Sequence, residues 1–253
     1  MNSKVVLLAA AFLSCCLPAF ASMTISGTRI IFPSKNKEVG VRTTNKGNDP
    51  VLVQVWVDDG NTHSNVNQMR VPFIVTPPVY RVEPGKGQSL RLIYNGLALP
   101  QDRESVFWFN LLEIPPKTGE IGDDGQKLEL AFRTRIKIFY RPDSLKNSNI
   151  EQEFSKLSWS ISDDPVHGRG IKVTNPTPFH FSFDGGSVVS HNRKIELQTD
   201  MVAPMMDRVF FPKNKLSTQD DISEINYRFI NDYGATVAGK IIRQSGNEFM
   251  AAP

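Results

Sequence analysis

The chain has 253 residues, and its 29 Lys and Arg against 26 Asp and Glu give a formal net charge of +3 at pH 7. A charge this close to balance gives no basis for a nucleic-acid partner or an anionic-membrane partner, so any basic function must be local. The length allows one large domain or two domains of ordinary size.

Residues 1–21 predict a secretory signal peptide. Lys4 is followed by an apolar run and then by an A-x-A motif that ends at Ala21, after which we expect cleavage. A lipoprotein signal with Cys15 or Cys16 as the lipidated residue is the alternative, although neither cysteine is preceded by the pair of small residues that such a site usually has. These are the two cysteines of the chain, so the exported part has no disulfide, Cys nucleophile or thiolate metal site.

Residues 22–145 predict the first of two β domains. About seven short runs of alternating hydrophobicity occur at a spacing of 8–12 residues, which is typical of an immunoglobulin-like sandwich. In chain order they are TRIIFP, EVGVRTTN, VLVQVWVDD, PFIVTPPVYRVEPGKGQSLRLIYN with two strands, SVFWFNLLEIPP and KLELAFRTRIKIFYRP. Pro77 and Pro78 are incompatible with a central strand and predict an edge or a kinked strand, where a cis peptide bond is allowed.

Residues 146–245 predict a second, smaller sandwich. Pro142 ends the first series, and the polar stretch DSLKNSNIEQE predicts a linker or loop. The strand patterns that follow are KLSWSIS, GIKVTNPTPFHFSF, KIELQT, RVFFP and INYRFINDYGATVAGKI. We expect residues 246–253 to form a loose tail.

Residues 126–142, QKLELAFRTRIKIFYRP, form an unusually long alternating segment. The even positions from Leu128 to Tyr140 are apolar except for Thr134, whereas most odd positions are charged. This period of two predicts a half-buried strand, and it places Lys137 on the opposite face from Leu128. Alternation alone does not decide whether the apolar face packs in the core of this chain or against another protein.

The sequence contains no recognisable catalytic or metal-binding constellation. Its four histidines lack ligand spacing, and neither a G-x-S-x-G motif nor a phosphate-binding glycine loop is present. The DDG at residues 123–125 is better explained as a turn than as a calcium loop. We therefore expect no enzyme activity, no metal and no cofactor.

Residues 99–115, LPQDRESVFWFNLLEIP, carry the most specific signal in the chain. They resemble the signature of the PapD-like periplasmic chaperones of the chaperone–usher pathway of pilus assembly, through Leu99, Pro100, Asp102, Arg103, Glu104, Ser105, Asn110, Leu111, Ile114 and Pro115. The resemblance extends over nearly all of the exported chain, because further motifs follow in the family's order: TRIIFP, VTPP, EPGKGQSLRLIY, IKIFYRP, NPTPFHF and INDYG.

The resemblance implies an all-β fold of two immunoglobulin-like sandwiches, arranged as a bent pair with a cleft between them. The connection Pro116–Lys127 is similar to that of the short-loop branch of the family, and its length leaves the first residue of the following strand open.

The resemblance also implies three groups of functional residues. A donor strand would fill the incomplete sandwich of a bound subunit, through Leu128, Leu130, Phe132 and Thr134. Two cations, Arg29 and Lys137, would anchor the C-terminal carboxylate of that subunit, with Arg135 nearby. A charged trio would join the two domains, namely Glu104, Arg141 and Asp232. A bulge or the strand's twist must then reconcile the donor face with the anchoring cation.

The implied function is that of a periplasmic, ATP-independent chaperone for fimbrial subunits, both pilins and adhesin, which it would deliver to an outer-membrane usher. No nucleic acid and no membrane insertion are expected, and self-association of the free protein through its exposed strand stays open.

The alternative is an exported two-domain β-sandwich that binds a small ligand or a glycan. Such a protein would need an aromatic platform on exposed loops. Trp56, Trp108 and Trp159 instead lie within strand patterns, where we expect them to pack in the core.

Overall fold

The computed structural model describes residues 22–61, 70–116, 130–246 and 248–251. The predicted signal peptide, Leu128 and most of the connection before the predicted donor strand lie outside the described residues.

Two separate hydrophobic cores confirm the predicted pair of β-sandwich domains. One core contains Phe32, Leu90 and Phe109, and the other contains Ile171, Phe181 and Phe229. Within the part of the chain described, no helix has the length and apolar character needed to cross a membrane.

The first domain consists of two facing sheets. Its strands are β1 Met23–Ile25, β2 Arg29–Pro33, β3 Glu38–Asn45, β4 Val51–Asp58, β5 Phe73–Thr76, β6 Val79–Val82, β7 Gly87–Tyr94, β8 Ser105–Ile114 and β9 Phe132–Arg141. One sheet has the order β1-β3-β7-β5 and the other β2-β9-β8-β4-β6. Strand β4 shows why the layers form, since Val53 and Val55 are buried while Leu52 and Gln54 are exposed.

Pro77 and Pro78 lie where the chain passes from one sheet to the other. They separate β5, at the edge of one sheet, from β6, at the edge of the other, and the Thr76–Pro77 peptide bond is cis. The predicted edge position is therefore confirmed, since proline has no N–H to donate to a central ladder.

The second domain begins with a short helical stretch. A 3-10 turn spans Asp143–Leu145, and helix α1 spans Ile150–Phe154. The Asn149 side chain caps α1 by accepting hydrogen bonds from the N–H groups of Glu151 and Gln152, at 2.9 and 3.3 Å. The prediction of a linker or loop was wrong for these residues, because five residues are too few for a helical period to show in the sequence.

The remaining strands form one continuous, wrapped ladder. They are β10 Ser158–Asp164, β11 Gly168–Asn175, β12 Phe181–Ser190, β13 Arg193–Glu196, β14 Met201–Val202, β15 Met206–Phe210, β16 Glu224–Ile230, β17 Thr236–Ser245 and β18 Glu248–Ala251. Their order is β13-β12-β16-β17-β18-β10-β11-β15, with β14 also paired to β12.

Strand β18 corrects the expectation of a loose tail for residues 248–251. It pairs with both β17 and β10, and Phe249 is buried against the second core. The sequence did not show this, because a four-residue strand owes its order to two partners that are distant along the chain.

Candidate functional site

Strands β2 and β9 run parallel and bring two cations side by side. Arg29 lies opposite Lys137 in the register, and Ile30 lies opposite Ile138. Because both isoleucines belong to the first core, the two cations point to the other face of the sheet.

This face meets the second domain. The Lys137 Nζ atom donates a hydrogen bond of 3.3 Å to Ser182 Oγ on β12. The Arg29 guanidinium lies 5.3 Å from the centre of the Phe139 ring, and its Nε atom is buried without a hydrogen-bond partner. Neither cation forms an ion pair with any carboxylate in the described part of the chain.

The positive charges of Arg29 and Lys137 are therefore not neutralised by a directly paired carboxylate in the described structure. Burial lowers the pKa of Arg29. Burial also lowers the pKa of Lys137, and the positive charge of Arg29 lowers it further. An anion bound between the two cations would offset both the cost of burying their charges and their mutual repulsion. The arrangement is therefore suited to holding a carboxylate.

The predicted trio Glu104, Arg141 and Asp232 is brought together between the two domains. Arg141 donates from Nε to Glu104 Oε1 at 2.9 Å. It also donates to both oxygens of Asp232, at 2.6 and 2.8 Å, so that the last residue of β9 is tied to the second domain. Burial alone would lower the pKa of Arg141, but the hydrogen bond to Asp232 and the charges of both carboxylates raise it above its usual value.

The turn that carries Asp232 is held rigidly in place. The Asn231 side chain accepts hydrogen bonds from the N–H groups of Tyr233 and Ala235. Gly234 has a φ of +81°, and a Cβ atom there would lie 2.5 Å from the Thr28 hydroxyl of the first domain. Glycine is needed at this position both for the left-handed backbone and for the close contact between domains.

Glu104 also binds the NPTPFH segment of the second domain. The Glu104 N–H donates to the Pro178 carbonyl at 2.9 Å, and the Glu104 carboxylate accepts from the His180 N–H at 2.9 Å. The His180 ring packs 5.6 Å from the buried Phe139 ring. Phe139 and His180 were not singled out from the sequence, although Phe139 was recognisable as an apolar residue among the charged odd positions of β9.

We expect Asp232→Asn to weaken the attachment of the two domains by about 1–3 kcal/mol, because Arg141 keeps its buried position but loses a charged acceptor. Denaturant unfolding followed by tryptophan fluorescence should show a lower midpoint. Asp207→Asn is the matched control, since it removes an exposed ion pair with Lys172 in the same domain and should cost under about 1 kcal/mol. Equal losses in the two variants would contradict a joining role for Asp232.

Strand β9 has two neighbours along only half of its length. Strand β8 pairs with all of it except Arg141, from Phe132 to Tyr140, whereas β2 pairs only with Lys137–Arg141. Among the described residues no strand pairs with the other edge of Phe132–Ile136. In that half Phe132 is 60% exposed and Thr134 is exposed as well, and Leu130, two residues before β9, is 53% exposed.

The ladder between β8 and β9 is uninterrupted from Phe132 to Tyr140. The expectation of a bulge that turns Phe132 and Lys137 to the same face is therefore wrong for this part of the strand. The predicted donor face and the cation pair lie on opposite faces of β9.

The three tryptophans divide into two groups. Trp159 is buried in the second core, as expected. Trp56 and Trp108 are only half-buried on the outer face of the first domain, so the core prediction was wrong for them. The guanidinium groups of Arg133 and Arg135 cover their rings, at 4.9 and 4.7 Å. None of the three lies on a loop, where the ligand-binding alternative would need an aromatic platform.

Asp58 was not among the residues predicted from the sequence to be functional. It is fully buried on the outer face, where Arg133 and Arg135 both bind it. Its position in VLVQVWVDD is in phase with the outward residues of β4, but only the pairing of β4, β8 and β9 shows which cations it meets. Among the described residues, no three His, Cys, Asp or Glu side chains lie close enough to hold a metal ion.

Comparison with known proteins adds an independent line of evidence. Residues 22–146 match the N-terminal domain of the pili and flagellar-assembly chaperone PapD, and residues 152–241 match the C-terminal domain of the pili assembly chaperone PapD. The probable fimbrial chaperone YadV of Escherichia coli K12 is 42% identical over 224 residues, which cover 87% of this chain and 89% of that protein. The chaperone protein HifB of Haemophilus influenzae is 36% identical, with 91% of each chain covered.

Solved structures agree with these relatives. The crystal structure of the YadV chaperone superposes with a TM-score of 0.72 at 40% identity and covers 88% of this chain and 100% of that one. The Salmonella enterica SafB chaperone, crystallised in complex with the SafA pilin, has a TM-score of 0.72 at 25% identity and covers 90% of this chain and 99% of that one. The chain therefore belongs to the PapD family of pili assembly chaperones.

Proposed function

We propose that this protein is a periplasmic, ATP-independent chaperone that binds, folds and caps fimbrial subunits by lending them a strand, and then delivers them to an outer-membrane usher. The observation that carries the proposal is the open half of β9, where an unpaired backbone edge and exposed apolar side chains occur together. The sequence of residues 1–21, which predicts a cleaved signal peptide, supports the location.

The open half of β9 is suited to complete another protein's sheet. An unpaired strand edge with apolar side chains is an aggregation hazard unless a partner covers it. A subunit whose sandwich lacks a strand has the complementary defect. Pairing would satisfy both backbones, and burying Leu130 and Phe132 would stabilise the complex by about 1.5–3 kcal/mol for each side chain before ordering costs.

The cation pair provides a fixed end point for the bound chain. A terminal carboxylate that reaches Arg29 and Lys137 gains charge-assisted hydrogen bonds worth about 1.5–3 kcal/mol each. Anchoring one end also sets the register, because a slip of one residue would turn every side chain of the bound strand to the wrong face. The name of SafB's crystallised partner, a pilin, supports a subunit of the same class here.

This function requires no chemical step. The family consists of chaperones, and we propose that this chain likewise has no enzymatic activity. Subunit folding itself provides the free energy for release from the cleft into the growing assembly, so no nucleotide is needed.

The proposal is tested by co-expressing the exported chain with a candidate pilus subunit in the periplasm and purifying the complex by affinity. We expect a one-to-one complex that survives purification. A subunit extended by several residues at its C-terminus should bind far more weakly, because its carboxylate no longer lies at the cation pair. Failure of the folded chaperone to retain any of several subunits would contradict the proposal.

The lowered pKa of Lys137 predicts a pH dependence of subunit binding. Lys137 must be protonated to attract a carboxylate, and its free-state pKa is below the usual value of about 10.4. Affinity should therefore be full at neutral pH and should fall as the pH rises through this lowered pKa. Isothermal titration calorimetry at a series of pH values from 7 upward measures this change in affinity. Lys137→Arg should remove the decline, since arginine stays protonated; identical profiles would contradict the assignment.

A further inference from the structure

The outer face of the first domain holds a partly buried ionic network beside the open half of β9. Asp58 lies at the end of β4, two strands away from β9 in the order β9-β8-β4. Its side chain is almost fully buried, and its two carboxylate oxygens bind Arg135 and Arg133 of β9. A single carboxylate therefore reaches across β8 to hold two residues of the donor strand.

Asn110 completes the connection from the middle strand. Its Nδ2 group donates to Asp58 Oδ2 at 2.8 Å, and its Oδ1 atom accepts from Arg133 at 2.7 and 3.1 Å. Asn110 is itself fully buried. The three strands are thus cross-linked by side chains in addition to their backbone ladder. We call Asp58, Asn110, Arg133 and Arg135 the outer-face clamp.

Neighbouring residues keep the clamp in one geometry. The Gly60 N–H donates to Asp58 Oδ1 at 2.8 Å. A Cβ atom at Gly60, where φ is +106°, would lie 2.8 Å from the Trp108 ring. Trp108 and Trp56 in turn lie beneath the two guanidinium groups, in cation–π contact. The orientations of both arginines are therefore set by acceptors on one side and by rings on the other.

The position of the clamp on β9 indicates what it stabilises. Arg133 and Arg135 lie in the half of β9 that β2 does not reach. They face away from Phe132 and Thr134, because odd and even residues of β9 lie on opposite faces, so the clamp can hold the strand without covering its donor face. Replacing a buried ion pair with apolar residues is often neutral or stabilising, so stability alone does not account for the buried Asp58 carboxylate, whereas a need for one defined strand geometry does.

We propose that the outer-face clamp positions the free half of β9, so that it is already extended and in register before a subunit arrives. This inference rests on the proposed function. It assigns Asp58 as a positioning residue that acts through Arg133 and Arg135 and does not itself touch the subunit. Ordering the strand in advance removes an entropic cost from each binding event.

The first test is amide hydrogen exchange in the free protein with the exported chain intact. In Asp58→Asn, which keeps the shape but loses the charge, we expect those amides of Phe132–Ile136 that hydrogen-bond to β8 to exchange roughly tenfold faster, because the charged hydrogen bonds that hold the strand are weakened. Leu90→Ala is the control. It removes a fully buried side chain from the opposite sheet and should lower overall stability without a selective effect on β9.

The second test measures the lifetime of the complex with a subunit. We expect Asp58→Asn to shorten it roughly tenfold relative to Leu90→Ala at a temperature where both variants are folded. Unchanged exchange in Phe132–Ile136, or a lifetime equal to that of Leu90→Ala, would overturn the clamp. If the Arg133→Met, Arg135→Met double variant loses binding while Asp58→Asn keeps it, the arginines contact the subunit directly, and the positioning role is wrong.

The two proposals fail in different ways. If wild type retains no subunit, the proposed function fails, whatever the exchange data show. If wild type retains subunits and Asp58→Asn matches it in both tests, only the clamp fails.

Discussion

Replacing both Arg29 and Lys137 with alanine is expected to weaken subunit binding by roughly 100-fold to 10,000-fold, because each cation contributes about 1.5–3 kcal/mol to holding a carboxylate. The fold should survive the change. Neither side chain has an ionic partner in the described structure, and removing two adjacent half-buried charges relieves their mutual repulsion.

The measurement is a dissociation constant for a purified subunit, together with the thermal midpoint of each variant. The single variants should each show part of the loss. Arg81→Ala is the matched control, because it removes an arginine of the same domain whose side chain is 66% exposed and paired with Glu83. If the double variant binds as tightly as wild type, the carboxylate is held elsewhere and the cation pair has another role.

Replacing Phe132 with aspartate is expected to weaken subunit binding by more than about 100-fold. The complex would lose about 1.5–3 kcal/mol of apolar burial and would also have to bury a charge without a partner. Leu130→Asp should act in the same way. The free protein should be unaffected, since both side chains are more than half exposed, and surface substitutions usually change stability by under about 0.5 kcal/mol.

Binding and thermal unfolding are again measured together. Val166→Asp is the matched control, because Val166 is 72% exposed and lies in the second domain, away from β9. It should bind subunits as wild type does. A large drop in thermal midpoint for Phe132→Asp would mean instead that this face packs within the chaperone's own fold.

The two sets of variants test opposite faces of β9. The cation pair lies on the face toward the second domain, and the donor residues lie on the face that continues the first core. If both the cation variants and the donor-residue variants lose binding while their stability is retained, the partner must contact both Arg29 at the start of β2 and the open half of β9. An extended chain that lies along the open edge of β9 and ends at the cations satisfies that requirement.

Properties that depend on local geometry were predictable from short stretches of sequence. Alternation along β9 predicted which side chains share a face, and the structure keeps that alternation without interruption from Phe132 to Tyr140. Turn residues and prolines predicted the edge position of Pro77 and Pro78 and several strand ends, although residues 72–95, predicted to form two strands, form the three strands β5, β6 and β7. The family motifs predicted the two-sandwich fold. Each of these follows from the backbone of a strand or a turn, which a few consecutive residues specify.

Contacts between residues far apart in the chain became visible in the folded protein alone. Parallel pairing of β2 with β9 places Arg29 beside Lys137, and the order β9-β8-β4 brings Asp58 to two arginines. The same is true of β18, which is ordered by strands on either side. These contacts depend on register and on packing between segments far apart in the chain. The periodicity of a single segment does not predict these long-range contacts, because the free energy that stabilises them arises only when the sheets are assembled.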